Sequence, residues 1–393
     1  MELHTVKMEC QRQKKVGLEE LRVHTLRSIS KLFLAIGLIT FVGCTSSNES
    51  QQTDKSADLS AKNTKDAWYI DQNTIAGNAL GTSFMIKTGV DSLLISPEEI
   101  SVFFADFNNE LSTYIPNSLI SQFNNELQEV DLNETKYFKT CLEKSIAIYK
   151  STGGAFDPTI FPLVELWGFI KKADRIPTQE EVDSVLAFVG FEEGKMYAYQ
   201  DGVLKKKDNR FQLIFNAIAK GQSVDELAAI LDAKGQESYY IEVGGEIITK
   251  GMNDRNMKWV IGIDEPIESN TGFESTEKRD LENYIEISGK AMATSGNYRD
   301  FYEHDGVVYS HTISPITGKP VRRSILSATV IANDVATADA YATAFMVMGV
   351  EGALELVNNH PELGIDVYLL YDNEKGGIER AYNKGMMMYL MDK

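Results

Sequence analysis

Asp339 and Thr343 stand four residues apart at the end of SATVIANDVATADAYAT, a stretch that predicts a helix after a strand. That spacing sets a carboxylate and a hydroxyl on one helical face. One charged and one neutral oxygen suit Mg2+, which takes a few protein oxygens and completes its shell with water and phosphate. The pair alone is a weak signal, because Asp and Thr meet at this spacing on ordinary helices. Its surroundings strengthen it: Ala336, Ala338, Ala340, Ala342 and Ala344 make a smooth helix that a ligand or another backbone can approach closely. Upstream, Thr294-Ser295-Gly296 offers hydroxyls and a glycine, and the turn-rich loop HTISPITGKPV begins at His311. A histidine there can take a proton from an attacking hydroxyl, although most loop histidines are plain surface residues. Together these residues describe an oxygen-ligated cation beside a phosphate-bearing ligand.

Other segments add to this. Lys220-Gly221 follows Asn216-Ala217-Ile218-Ala219 at a predicted strand-to-helix junction. An ammonium and helix N-terminal N–H groups can receive a phosphate there; a solvated lysine is the plainer reading. Gly244-Gly245 reads as a tight turn between strands, with room for a planar ligand. In Gly153-Gly154-Ala155-Phe156-Asp157-Pro158, Asp157 suits a helix cap or the polar edge of a ring. Neither GxGxxG nor GxxxxGK[ST] occurs, so no Rossmann or P-loop site is indicated.

The elements that must hold these residues alternate irregularly. Pro97–Tyr114 predicts a helix with Ile100, Phe103, Phe104, Phe107 and Leu111 on one stripe. Tyr137–Lys150 predicts another, and Thr178-Gln179-Glu180-Glu181 is a capping box opening a short helix to Leu186. Ala79–Lys87 reads as a strand kinked at Gly81-Thr82-Ser83. Phe211–Phe215 reads as a strand entering a helix from about Ala217 to Lys234. Strands follow at Tyr239–Val243, Ile247–Thr249, Trp259–Ile263, Tyr284–Ile287 and Ser327–Ala332. The helix carrying Asp339 should end at Gly349, with a further helix over Gly352–Asn359 and three short strands after it. Adjacent strands with short turns predict an α+β domain of mostly antiparallel sheets with packed helices.

The N-terminus reads as an address. Arg22, Arg27 and Lys31 precede Leu32–Val42, an apolar run too short for a bilayer span of about 20 residues. Gly43-Cys44 follows, so 1–43 reads as a signal peptide and Cys44 as the lipidated residue; Phe41-Val42-Gly43-Cys44 resembles a bacterial lipobox. Residues 44–67 are polar and flexible in composition, a tether to a domain over 68–393. The formal net charge is −18, and residues 1–43 are net basic, so the remainder is more acidic still. Such a surface repels nucleic acid and anionic lipid headgroups. Past Cys44 only Cys141 remains, so no intrachain disulfide is expected.

In order along the chain, several segments resemble the FAD:protein FMN transferase (ApbE) family of flavin transferase lipoproteins. They are LGTSF at Leu80–Phe84, LSTYIPNSLISQFN at Leu111–Asn124, GGAFDPTIFPLVELWGF at Gly153–Phe169, NAIAKGQSVD at Asn216–Asp225, VGGEI at Val243–Ile247, and the 289–343 region. The resemblance implies an ApbE-like, T-fold-related domain. It also implies a reaction: FMN passes from FAD through phosphate to a Thr or Ser of a target protein, Mg2+ sits on the pyrophosphate, and AMP leaves. The implied magnesium ligands are Asp339, Thr343 and the carbonyl of Ala217. Leu80, Tyr114, Ala155, Phe156, Asp157, Lys220 and Ile313 match flavin or adenine contacts, and His311 matches a histidine assisting transfer. The implied partner is a flavin-acceptor protein, a redox-pump subunit or periplasmic electron carrier. The lipid anchor implies the bacterial cell envelope, with the inner membrane's periplasmic face as the expected address. Ile214 and Ser314 stand where the family commonly has Asp, and Leu80 where Met is frequent. Hydrolysis of FAD to FMN and AMP, or flavin binding without turnover, are the alternative readings.

Overall fold

Apolar residues at Ile100, Phe103, Phe104, Phe107 and Leu111 recur every three or four positions, and the helix they dictate, α1 (Pro97–Leu111), buries all five. Ser96 and Glu99 close it with a capping box, and Pro97 occupies the first turn, where its missing N–H costs nothing. The structure is a computed structural model that describes residues 68–170, 175–266, 280–297, 301–304, 307–321, 325–373 and 377–391. The segments read as signal peptide (1–43) and tether (44–67), with Cys44, lie outside the described residues.

The remaining helices are α2 (Leu119–Asn125), α3 (Phe138–Ser151), α4 (Phe161–Leu166), α5 (Gln179–Leu186), α6 (Ala219–Ala233) and α7 (Val335–Asn359). The strands begin with β1 (Tyr69–Ile70), β2 (Thr74–Ala79), β3 (Thr82–Thr88), β4 (Glu129–Asp131), β5 (Tyr197–Gln200), β6 (Val203–Lys206), β7 (Tyr239–Val243) and β8 (Glu246–Lys250). They continue with β9 (Trp259–Asp264), β10 (Leu281–Ile287), β11 (Lys290–Gly296), β12 (Phe301–His304), β13 (Val307–Ser310), β14 (Ile325–Ala332), β15 (Asp366–Asp372) and β16 (Ile378–Tyr382). Nine of them form one sheet in the order β1-β2-β3-β7-β8-β11-β14-β15-β16, with every neighbouring pair antiparallel. The fold is α+β.

Strand alternation assigns the two faces of that sheet. Ile241 and Val243 on β7, Ala291 and Ala293 on β11, Ala328 and Val330 on β14, and Val367 and Leu369 on β15 point into the main core with α6 and α7. Ile247, Met292, Ile331, Tyr368 and Leu370 point the other way, under the β9–β10 hairpin with its Ile261, Ile263, Ile285 and Ile287. Small residues on β11 let α7 lie close, which is how the sheet presents Ser295 to that helix. By length and composition α7 is apolar enough to cross a membrane, yet most of its first half is buried inside this domain.

Three local readings are corrected. The turn in Ala79–Lys87 lies earlier, at Leu80-Gly81, and joins β2 to β3 as a two-residue hairpin. Both residues have positive φ, 52° and 76°, the pairing that suits a tight hairpin turn. Phe211–Phe215 is not a strand. Its polar backbone is satisfied by other groups: Asn124 accepts from Leu213 N and donates to Leu213 O, both at 2.8 Å, and Ile214 N donates to Pro158 O. At the C-terminus two strands form, and Leu390 makes only a single bridge to Ile285. Gly349 does end the Asp339 helix segment: its φ of 78° and ψ of 175° break α7 there, and helix resumes beyond it.

Candidate functional site

Asp339 sits at the crossing of α6 and α7, 3% exposed. The two helices cap one another through side chains. Asp339 Oδ2 accepts from Gly221 N at 3.0 Å in the first turn of α6. In return Asp225 of α6 accepts from Val335 N and Ala336 N, at 2.8 and 2.9 Å, in the first turn of α7. Hydrogen bonds to charged acceptors contribute about 1.5–3 kcal/mol each, so this exchange fixes where Asp339 lies. The approach is close enough that Gly221 must be glycine: a Cβ there would stand 2.5 Å from Val335 O and 2.8 Å from Ala336 Cα. The Gly221 N–H at this junction is therefore taken by Asp339.

Lys220, one residue earlier, bonds Glu246 Oε1 at 2.5 Å. Glu246 opens β8 just after the Gly244-Gly245 turn and is 3% exposed. Its other oxygen, Oε2, has no hydrogen-bond partner, and neither has Thr82 Oγ1. Both atoms lie near the same place, 3.3 and 3.1 Å from where a Cβ on Gly244 would be. Burial raises the carboxyl of Glu246 to about 8, with Lys220 opposing the shift and Asp339 adding to it. Burial raises Asp339 as well, again opposed by the Lys220 ammonium and by the Gly221 N–H. Two buried carboxylates thus share one ammonium.

Thr343, one turn beyond Asp339, is half-buried and shares a 3.1 Å hydrogen bond with Ser295 Oγ of β11. Ala217 lies in the turn before α6, half-buried. Its neighbour Asn216 donates from Nδ2 to the hydroxyl of Tyr114 at 3.2 Å, and Tyr114 is 65% exposed. Tyr114 is thus tied to the turn that carries Ala217, while Lys220 and Asp339 lie where α6 meets α7 and Thr343 follows one turn along α7. Leu80 lies two residues before Thr82, whose side chain stands beside the Gly244 turn.

Ala155, Phe156 and Asp157 are buried. Asp157 caps the short turn after it: Oδ1 accepts from Thr159 N at 2.7 Å and from Thr159 Oγ1 at 2.6 Å. Burial lifts its carboxyl to about 7. His311 stands exposed at the head of its loop, whereas Ile313 is buried in a separate apolar cluster with Leu163, Trp167, Val182 and Val189. Trp167 Nε1 donates to Gly318 O at 2.7 Å and pins that loop. Ser314 fills the turn role an aspartate would have, its Oγ accepting from Thr317 N at 3.2 Å. A cleft of about 850 Å3 lies against this loop, lined by Trp167, Ser314, Thr317, Lys319 and Val347. Val347 follows Thr343 by one helical turn, so the cleft and the Asp339–Thr343 pair share a face of α7.

The donor set fits a hard divalent cation. Asp339, the Thr343 hydroxyl and the Ala217 carbonyl are all oxygens. Among the described residues no three His, Cys, Asp or Glu side chains gather, so a cation held here would draw on neutral oxygens as well. The unpartnered Glu246 Oε2 adds one more buried oxygen to the same neighbourhood. Glu246 itself was missed in the sequence. The available signal was a carboxylate in EIIT whose alternation places it with Ile248 on the helix-covered face.

Comparison with known proteins agrees in extent. The ApbE family matches residues 80–369. The FAD:protein FMN transferase of Vibrio cholerae is 35% identical over 317 residues, covering 79% of this chain and 91% of the relative. That of Haemophilus influenzae is 31% identical, covering 78% and 89%. Among solved structures, the flavin transferase ApbE from Vibrio cholerae superposes with a TM-score of 0.70 at 30% identity, covering 81% of this chain and 99% of that one. The Thermotoga maritima ApbE protein gives 0.69 at 28% identity, covering 83% and 100%.

Proposed function

The chain belongs to the ApbE family, and on that premise we propose that it is an FAD:protein FMN transferase working through the Asp339 site. It moves FMN from FAD onto a target protein. The bond from a Thr or Ser oxygen of the target to the FMN phosphorus forms as the anhydride bond to AMP breaks. AMP leaves with that electron pair, and the hydroxyl proton passes to a base. His311, exposed at the head of the loop beside the cleft, is the group we assign to it.

Asp339, Thr343 and the Ala217 carbonyl would hold Mg2+, which when bound supplies charge neutralisation on the pyrophosphate. Lys220, anchored by Glu246 at 2.5 Å, adds a fixed positive charge to a site in an otherwise acidic chain. Tyr114, exposed and tied to Asn216, offers a ring face on which a flavin or adenine can stack. Ile214 and Ser314 leave the site without two carboxylates common in relatives, and Ser314 keeps the turn through its hydroxyl. The observation that carries the reading is the buried Asp339, held by Gly221 and one turn from Thr343, in a chain matched over residues 80–369.

We further assign residues 1–43 as a signal peptide, Cys44 as the lipidated residue and 44–67 as a tether. They would hold the 68–393 domain at the envelope, facing the periplasm from the inner membrane. The acceptor class that fits this place is a redox-pump subunit or periplasmic electron carrier. Co-expression with such a subunit, followed by in-gel flavin fluorescence, tests the assignment. A fluorescent acceptor band that disappears with Asp339→Ala is expected; a band of equal intensity in that variant overturns it. Fatty-acid labelling lost in Cys44→Ala checks the anchor, and labelling retained refutes it.

A further inference from the structure

Glu246 is buried, bonded to Lys220, and takes no part itself in the bond changes described above. It follows the Gly244-Gly245 turn, where φ values of 66° and 99° and the nearness of Thr82 both call for glycine. From there its side chain enters the helix-covered face and takes Lys220 Nζ at 2.5 Å. Lys220 has a competing partner close by. It precedes Gly221, whose N–H already bonds Asp339 at 3.0 Å, and its ammonium bears on the Asp339 carboxylate. An Asp339 paired with Lys220 would give its charge to the ammonium rather than to a cation. In the structure the ammonium sits on Glu246, and Asp339 is held by a backbone N–H through Oδ2, leaving Oδ1 outside that bond.

We propose that Glu246 is a positioning residue that holds Lys220 off Asp339, so that Asp339 stays available to a divalent cation while the lysine charge remains beside it. This rests on the assignment of Asp339 as a metal ligand. It makes a prediction that simple charge removal does not: without Glu246, the Lys220 side chain swings to Asp339 and blocks it, and deleting the lysine as well reopens the site.

The probe is Mn2+, titrated by the loss of its free-ion EPR signal into the full chain without FAD, so that turnover plays no part. Glu246→Gln should bind Mn2+ at least about tenfold more weakly than wild type. Glu246→Gln/Lys220→Met should return to within about threefold, a non-additivity expected of residues in contact. A crystal structure of Glu246→Gln should show Lys220 Nζ on the Asp339 carboxylate. Unchanged Mn2+ affinity in Glu246→Gln, or Lys220 found away from Asp339 there, overturns the proposal. Should Glu246→Gln fail to fold, the double variant and Lys220→Met decide. Both must bind within about threefold of wild type, and a tenfold or greater loss in the double variant means that Glu246 serves the cation directly. A wild-type chain that binds no Mn2+ removes the metal assignment of Asp339, and this proposal with it.

Discussion

Replacing Asp339 by Asn separates what the site does for the fold from what it does for the chemistry. The amide keeps the side chain's shape and can present its oxygen to Gly221 N, now 3.0 Å from Asp339 Oδ2. That hydrogen bond falls from the charged range of about 1.5–3 kcal/mol to the neutral range of about 0.5–1.5 kcal/mol. Against this loss, the variant no longer buries a carboxylate that burial disfavours in its charged form. The two effects oppose, and the expected net change in stability is within about 1 kcal/mol, or roughly 1–2 °C in Tm for a domain of this size. Transfer should respond on another scale. With the charged oxygen gone, the remaining ligands are neutral, and a drop of at least about 100-fold is expected, equivalent to roughly 2.7 kcal/mol in the barrier. Urea unfolding followed by Trp fluorescence gives the first quantity, and initial rates of AMP release with an acceptor present give the second. A variant that unfolds several kcal/mol more easily would show that Asp339 is a structural residue. A variant transferring within about fivefold of wild type would refute its role with the cation.

Other substitutions test neighbouring parts of the account. Thr343→Val should raise the Mg2+ concentration needed for half-maximal activity by about 10-fold or more, as loss of a group serving a metal usually does, while Thr343→Ser should restore it; a magnesium titration decides. Gly221→Ala places a Cβ 2.5 Å from Val335 O, so the helices must part. A stability loss of about 1–3 kcal/mol is expected in urea unfolding, with weaker Mn2+ binding as Asp339 is displaced. Asp157 holds its proton up to about pH 7 in the fold, against about 3.9 when unfolded. Between those values the unfolded chain binds fewer protons, so this group's contribution is full below pH 4, falls as pH rises to 7 and is flat above. Asp157→Asn should remove that decline, worth at most about 4 kcal/mol, and urea midpoints at pH 4.5 and 7.5 measure it.

Local pattern made much of this molecule readable. The stripe on α1, the capping box at Thr178 and the break at Gly349 are each fixed by residues within a few positions of one another. Asp339 and Thr343 were visible for the same reason, being one turn apart. What the sequence hid is satisfied over long range. Phe211–Phe215 looks like a strand because it is apolar, but its backbone partner is the Asn124 side chain, 89 residues away in sequence. The exchange of caps between Asp225 and Asp339 joins residues more than 100 positions apart. Glu246 pairs with Lys220 from the far side of a strand. His311 and Ile313 are two residues apart yet divide between solvent and an apolar cluster, a split that only the packing of Trp167 and Val182 explains.

The central claim is that this chain moves FMN from FAD to a protein hydroxyl through the Asp339 site. Its most direct test is intact mass of an acceptor domain from a redox-pump subunit after incubation with the chain, FAD and MgCl2. The account predicts one FMN phosphoester per acceptor, AMP released in equal amount, and neither product with Asp339→Asn. An acceptor of unchanged mass while FMN and AMP accumulate would contradict it and make the chain an FAD hydrolase.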